Sequence, residues 1–159
     1  MQSVFVDRSG RVWVGNRRGI FLYHREEDRF YPVEIADEGG SMSVSVIFED
    51  SSGKFWIGTH DDGVYVCDQK MQVISHYSQQ TNLALSSNAV SSIYEDHLKQ
   101  IWVGCHLYGL NCIDLRNNRI THYTSKNSGL KNDFVRCLVE WDGQLLIGTY
   151  DGIFALNLT

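Results

Sequence analysis

Residues 49–63 read EDSSGKFWIGTHDDG, and forty-six residues later residues 95–109 read EDHLKQIWVGCHLYG. The two stretches share the acidic pair, the W-x-G and the closing glycine. A third copy precedes them, FVDRSGRVWVGNRRG at residues 5–19, and a fourth follows, LVEWDGQLLIGTYDG at residues 138–152, with Leu146 in the tryptophan position. Trp13, Trp56, Trp102 and Leu146 are therefore spaced by forty-three to forty-six residues, and four copies fill nearly all of the 159-residue chain. A period in the forties denotes a repeat architecture, and the candidate architectures differ in secondary-structure content.

Each copy divides into short runs. The second gives VSVIFED, KFWIGT, GVYVCD and QVISHY, and the third gives VSSIYED, QIWVGC, GLNCID and RITHY, separated by Asp, Ser, Gly and Asn punctuation. Four runs of strand length with turn residues between them predict four strands and three tight turns. No stretch sustains the 3.6-residue periodicity of a helical repeat. The expected fold is all-β, a β-propeller of about four blades, each a four-stranded antiparallel sheet. The blades are expected at about residues 2–33, 43–77, 88–123 and 133–157, the first copy starting inside its first strand and the fourth stopping after its third, GIFALN. About four blades read as part of a larger ring of about seven. Apolar blade faces left uncovered at both ends would attract partners, so self-association, or completion by the remaining propeller blades, is expected.

The recurring residues have mechanical reasons. Asp7 with Gly10 and Asp50 with Gly53 suit a hairpin turn, the Asp bonding local backbone and the Gly accepting positive φ; Lys99 stands where the third copy would have that glycine. Trp56 and Gly58 share one face of a strand and Ile57 and Thr59 the other, as a strand covered on both sides requires. The glycine is expected to admit a neighbouring backbone or ring. Tyr77 and Tyr123 suit an outer rim where a phenol keeps a wet tip.

SVIFEDSSGKFWIGTHDDGVYVCD and SSIYEDHLKQIWVGCHLYGLNCID resemble the two-component regulator propeller repeat, whose pattern runs I-x-E-D-x-x-G-x-x-W-I-G-T-x-x-x-G-L/V-x-x-x-D. The first copy is one loop residue shorter, the third lacks the turn glycine, and the fourth has a shortened first turn and no Trp. The family is best known from bacterial hybrid sensor kinases, in which periplasmic propellers precede an immunoglobulin-like domain, a membrane helix and a histidine kinase. The resemblance implies a non-catalytic, periplasmic ligand-sensing segment, usually for carbohydrate fragments. A propeller enzyme resembling the streptogramin lyases, which use loop His and Glu with a divalent metal, and a protein-interaction scaffold are the alternatives.

Composition narrows the function classes. With 14 Lys and Arg against 19 Asp and Glu the net charge is -5, and the charges are scattered apart from Arg17-Arg18, so no basic stripe for nucleic acid is present. No apolar run reaches membrane-spanning length, and MQSVFVDRSGRVW has neither the apolar core nor the cleavage pattern of a signal peptide, so direct membrane contact is not expected. No nucleophile elbow, zinc-protease motif, P-loop or dinucleotide fingerprint occurs. The pairs Glu49-Asp50 and Glu95-Asp96 are not expected to act as glycosidase carboxyls, because adjacent strand residues point to opposite faces. No catalytic residue, cofactor or metal is expected. Cys67, Cys105, Cys112 and Cys137 lack metal-ligand spacing and are expected as free thiols, most of them buried, with Cys105 and Cys112 the pair that would form if any did.

Residues repeated in every blade serve folding, whereas those that differ are free to recognise something. His60 and His106 fall four residues after their Trp, and Arg17 and Tyr150 hold the same place in the outer copies. In a propeller these loops share one face. The expected ligand-binding set is Arg17, Arg18, His60, Asp61, His106, Tyr108, Tyr150 and Asp151, with Asp62 beside them. Aromatic planes with charged and hydrogen-bonding groups suit an oligosaccharide. His76 and His122 read as structural or exposed, and His24 and His97 receive no role.

Overall fold

A computed structural model describes residues 3–35 and 42–158. They form fifteen strands and no helix. Blade 1 comprises β1 (Ser3–Val6), β2 (Val12–Asn16), β3 (Gly19–His24) and β4 (Arg29–Val33). Blade 2 comprises β5 (Val44–Glu49), β6 (Phe55–Thr59), β7 (Val64–Cys67) and β8 (Val73–Tyr77). Blade 3 comprises β9 (Val90–Glu95), β10 (Ile101–Cys105), β11 (Leu110–Asp114) and β12 (Arg119–Tyr123), and blade 4 comprises β13 (Val135–Trp141), β14 (Gln144–Thr149) and β15 (Gly152–Asn157). Every sheet is an antiparallel meander in chain order, four-stranded in blades 1 to 3 and three-stranded in blade 4. These are β-propeller blades.

The blades stack in sequence through one contact used three times. Trp13 and Ile20 of blade 1 pack on Val44, Ile47, Phe55 and Ile57 of blade 2. Trp56, Val64 and Val66 pack on Val90, Ile93, Ile101 and Val103 of blade 3, and Trp102, Leu110 and Cys112 on Val135, Leu145 and Ile147 of blade 4. Blades 1 to 3 thus each turn a tryptophan face to the next blade, and blades 2 to 4 turn a largely aliphatic face to the one before. β6 and β10 are buried at every position, as strands covered on both sides must be.

The acidic pair of the repeat performs two tasks. The aspartates Asp7, Asp50 and Asp96 are buried and accept the indole N–H of Trp13, Trp56 and Trp102, each at 2.8 Å. The glutamate reaches the preceding blade: Arg8 N–H donates to Glu49 at 2.8 Å, Ser51 N–H to Glu95 at 2.6 Å and His97 N–H to Glu140 at 2.8 Å. His97, given no role by its sequence, also meets Glu140 through Nδ1. The two side chains point apart because neighbouring strand residues do, one into its own blade and one across the junction.

The glycine after each Trp admits a side chain rather than a backbone or ring. A Cβ on Gly58 would lie 2.6 Å from Cγ1 of Val90, and one on Gly104 2.6 Å from Cγ1 of Val135. Tyr77 stacks on Trp56 with centroids 5.9 Å apart, and Tyr123 tilts against Trp102 at 5.3 Å, so both rings serve the tryptophans. Lys99 occupies its turn at φ +65°, the left-handed conformation that glycine adopts at Gly10 and Gly53. Blade 4 replaces this turn by Asp142-Gly143, both at positive φ, the two-residue hairpin that suits strand twist. All four cysteines are free: Cys67, Cys105 and Cys112 are buried, and Cys137 is exposed.

Candidate functional site: the loop face

The loop between the second and third strands of each blade lies at the end where the first strand begins. Backbone hydrogen bonds fix this. His60 N–H donates to Ser43 O at 2.9 Å, His106 N–H to Ala89 O at 2.9 Å and Tyr150 N–H to Phe134 O at 3.2 Å. The loop glycines tie the same end to the next blade, Gly63 N–H donating to Asn88 O at 2.9 Å and Gly109 N–H to Asp133 O at 2.8 Å. The loops of blades 1 and 4 are shorter, Asn16 pairing with Gly19 around Arg17-Arg18 and Thr149 with Gly152 around Tyr150-Asp151.

Two of the sequence-predicted residues meet through a third. The His106 imidazole lies edge-on to Phe134 with centroids 3.9 Å apart, and Tyr150 tilts against the same Phe134 at 6.0 Å. The guanidinium of Arg136 stands 5.6 Å from the Phe134 centroid. Tyr150 is 73% exposed, so its ring lies open beside this cluster. Burial and the charge of Arg17 hold the His60 imidazole below the ordinary histidine value, while the Asp61 carboxylate opposes them. An imidazole so placed is neutral at neutral pH and offers one donor and one acceptor.

The remaining predicted residues are distributed around this core. Arg18 and Tyr108 are exposed, the Arg18 N–H bonding Asn16 Oδ1 at 2.7 Å, and Asp151 accepts from Asn132 Nδ2 at 2.6 Å. Asp62 turns the other way, accepting the Tyr65 hydroxyl and standing 3.7 Å from His76 Nε2, so it organises blade 2. His76 itself stacks on Tyr65, and His122 bonds Ala84 O. Among the described residues no three His, Cys, Asp or Glu side chains gather in a metal-holding group.

Phe134 and Arg136 lie outside the sequence-predicted set. Phe134 occupies the lead-in position held by Ser43 and Ala89, and Arg136 sits at a register shift in β13 that recurs as Ser45 in β5 and Ser91 in β9. A bulge turns one side chain out of the pleat without disturbing the rest of the strand. In blade 3 this residue is structural, Ser91 Oγ donating to Val135 O at 2.6 Å. The rule that differing positions are the free ones applies here as it does to the loops, and it picks out both residues.

Residues 38–61 and 84–106 match the two-component regulator propeller family, so the chain carries that family's repeats in its two middle blades. A search of curated protein sequences returns no match. Among solved structures, 97% of the chain superposes on the extracellular domain of BT3049 from B. thetaiotaomicron, described as a hybrid two-component system, with a TM-score of 0.83 and 25% identity. The extracellular domain of BT4673 from the same organism gives 0.81 and 23%. The chain spans only 21% and 22% of those two proteins. A catalytically inactive virginiamycin B lyase from Staphylococcus aureus, solved with quinupristin, shares the fold at a TM-score of 0.63 and 14% identity, the chain covering 54% of it.

Proposed function

We propose that this chain is a non-catalytic, ligand-sensing propeller segment of a bacterial two-component sensor, facing the periplasm as part of a longer membrane-anchored parent, and that its ligand is an oligosaccharide. The observation that carries the reading is the coincidence of the family's repeats at 38–61 and 84–106 with a superposition of nearly the whole chain on the extracellular domain of such a system. Within the chain, the cluster of His106, Phe134, Arg136 and Tyr150 supports it. A sugar offers an apolar face to an aromatic ring and hydroxyls to imidazole, phenol and guanidinium donors. The groups stand on two loops and a lead-in anchored by backbone hydrogen bonds and on strand β13, so little ordering is required on binding. Signalling then follows from a ligand that binds one arrangement of the parent better than another; a ligand with equal affinity for both shifts nothing.

The test is calorimetric titration of an oligosaccharide panel against the parent chain and the single variants Phe134→Ala and Tyr150→Ala. The proposal expects at least one oligosaccharide to bind, with affinity falling roughly tenfold or more in each variant. The melting temperature of Tyr150→Ala should stay within a few degrees, since exposed loop changes cost within about 0.5 kcal/mol. Unchanged affinity in both variants would move the ligand elsewhere. No binding across the panel would favour a protein-interaction scaffold.

A further inference from the structure

The loops between the second and third strands of blades 2 and 3 have the same length and are closed by the same bond, Thr59 N–H to Gly63 O and Cys105 N–H to Gly109 O, each at 2.9 Å. Both blades have a neighbour on each side. A difference between these two loops therefore belongs to the loops themselves and not to where the chain begins or ends.

Blade 2 ties its loop down through three side chains. Thr59 Oγ1 donates to Gly63 O and accepts Asp62 N–H, both at 2.9 Å; the Tyr65 hydroxyl donates to the Asp62 carboxylate; and His76 Nε2 meets Asp62 O at 2.7 Å. In blade 3, Cys105 stands for Thr59, Tyr108 for Asp62 and Asn111 for Tyr65, the last because Asn111 pairs with Val103 as Tyr65 pairs with Ile57. Asn111 Nδ2 donates to Cys105 Sγ at 3.2 Å, and both turn to the lead-in, Cys105 Sγ to Ser87 O at 3.4 Å and Asn111 Nδ2 to Ser86 Oγ at 3.0 Å. His122, the counterpart of His76, meets Ala84 O at 3.0 Å. Side chains that hold the loop in blade 2 thus hold the lead-in in blade 3.

The released loop carries two large side chains outward. Leu107, where blade 2 has Asp61, is 62% exposed, and Tyr108 is 55% exposed. Leu107 has φ +65°, a left-handed conformation that is costly for leucine, whereas among residues 60–63 of blade 2 Gly63 alone has positive φ. Of the other non-glycine residues in this conformation, Asp28, Asn118 and Asp142 are types that adopt it readily, and Met71 and Lys99 close turns onto Asp68 O and Asp96 O. Leu107 is held in it while facing water. Unfavourable backbone of this kind clusters where a binding surface uses it.

We infer that Leu107, with Tyr108 beside it, is a specificity-determining residue of the loop face, selecting an oligosaccharide that bears a methyl group, as an O-acetyl ester or a 6-deoxy sugar does. The inference rests on the sensing function proposed above. Leu107 directly follows His106, whose ring meets Phe134, so it continues the aromatic cluster. The flat rings of that cluster suit the bare face of a pyranose. A branched aliphatic side chain has neither a flat face nor a hydrogen-bonding group; it packs on a methyl and offers nothing to a hydroxyl. Asp61, at the same place in blade 2, does the reverse.

The experiment is calorimetric titration of the unmodified chain, Leu107→Asn and Leu107→Met with paired oligosaccharides: O-acetylated samples before and after alkaline deacetylation, and fucosylated samples before and after enzymatic defucosylation. In at least one pair the unmodified chain should bind the methyl-bearing member roughly tenfold more tightly, the low end of what one methyl-sized contact gives. The pair that shows the preference identifies the source of the methyl. Leu107→Asn should bring the two affinities to within about twofold, and Leu107→Met should keep most of the preference. Because Asn accepts left-handed backbone, Leu107→Asn should melt at least as high as the unmodified chain, losing selectivity without losing stability. Binding without preference in every pair, a preference that survives Leu107→Asn, or one lost only together with a lower melting temperature would overturn the inference and leave the sensing function standing. No binding by any member would overturn both.

Discussion

At the scale of single residues, the carboxylate of Asp50 organises both a turn and a ring. Its Oδ1 accepts Ser52 N–H at 2.8 Å, Ser52 Oγ–H at 2.6 Å and Lys54 N–H at 3.0 Å, while Oδ2 takes the Trp56 indole. Burial alone would raise its pKa, but the donors from Ser52, Trp56 and Lys54 outweigh burial and hold it below the ordinary value. Asp7 is lowered in the same way, burial being overcome by Trp13 and Arg11. A carboxyl whose folded pKa is depressed contributes stability that is fully present above its unfolded value of about 3.9 and is lost as pH falls through the folded one. The melting temperature should therefore fall as pH is lowered below about 4, and Asp50→Asn, less stable at neutral pH, should lose less as the pH falls. Equal pH slopes in melts of the two proteins would contradict the assignment. The turn-making role of this residue was legible in D-x-x-G. Its hold on the tryptophan six positions on was not, because a recurring spacing does not reveal which atom meets which. Glu49 and Glu95 were harder still, since their partners lie more than forty residues away.

At the scale of elements, the strand runs could be read closely because polar turn residues interrupt apolar alternation four times per copy. What the strands do to one another could not. In W-x-G the glycine signals close approach, yet only the structure shows the neighbour to be a valine from the next blade's first strand. A Cβ on Gly15 would overlap Cγ1 of Val44, and its further neighbours, Val44 Cβ at 3.1 Å and Ile47 Cδ1 at 3.4 Å, also belong to blade 2. Gly15→Ala should cost about 1–3 kcal/mol by overpacking. Val44→Ala should also destabilise, as a fully buried valine, and the double variant should fall short of the summed losses by about 1 kcal/mol because the second change makes room for the first. Urea unfolding of the four proteins measures this coupling; strict additivity would mean that the two residues do not press on one another.

At the scale of the whole molecule, stability is a chain of neighbour contacts, as in other repeat proteins. The thiols report on it. Burial pushes Cys67 and Cys112 up to about 12 and Cys105 to about 11, so these three are protonated and shielded at neutral pH. Cys137 is exposed on the outward face of blade 4. A dilute native chain should therefore give one prompt thiol equivalent to an alkylating reagent and four after denaturation, counted by intact mass; two or more prompt equivalents would mean that the inner junctions open readily. At this scale the loop face was half legible. Comparing copies exposes the loop residues that vary, but Phe134 and Arg136 enter through a lead-in and a bulge, features whose geometry no local pattern in the chain encodes. The glutamate tie has a further consequence for the order in which the protein is made. β5 alone already carries Val44, which fills the space beside Gly15, and Glu49, which caps Arg8. A blade leaving the ribosome thus begins to acquire its junction packing and its glutamate tie when the opening strand of its successor emerges, and completes the packing when the second strand brings Phe55 and Ile57. During synthesis the newest tryptophan face is always the unfinished one, and the vulnerable surface travels along the chain one blade behind the growing end.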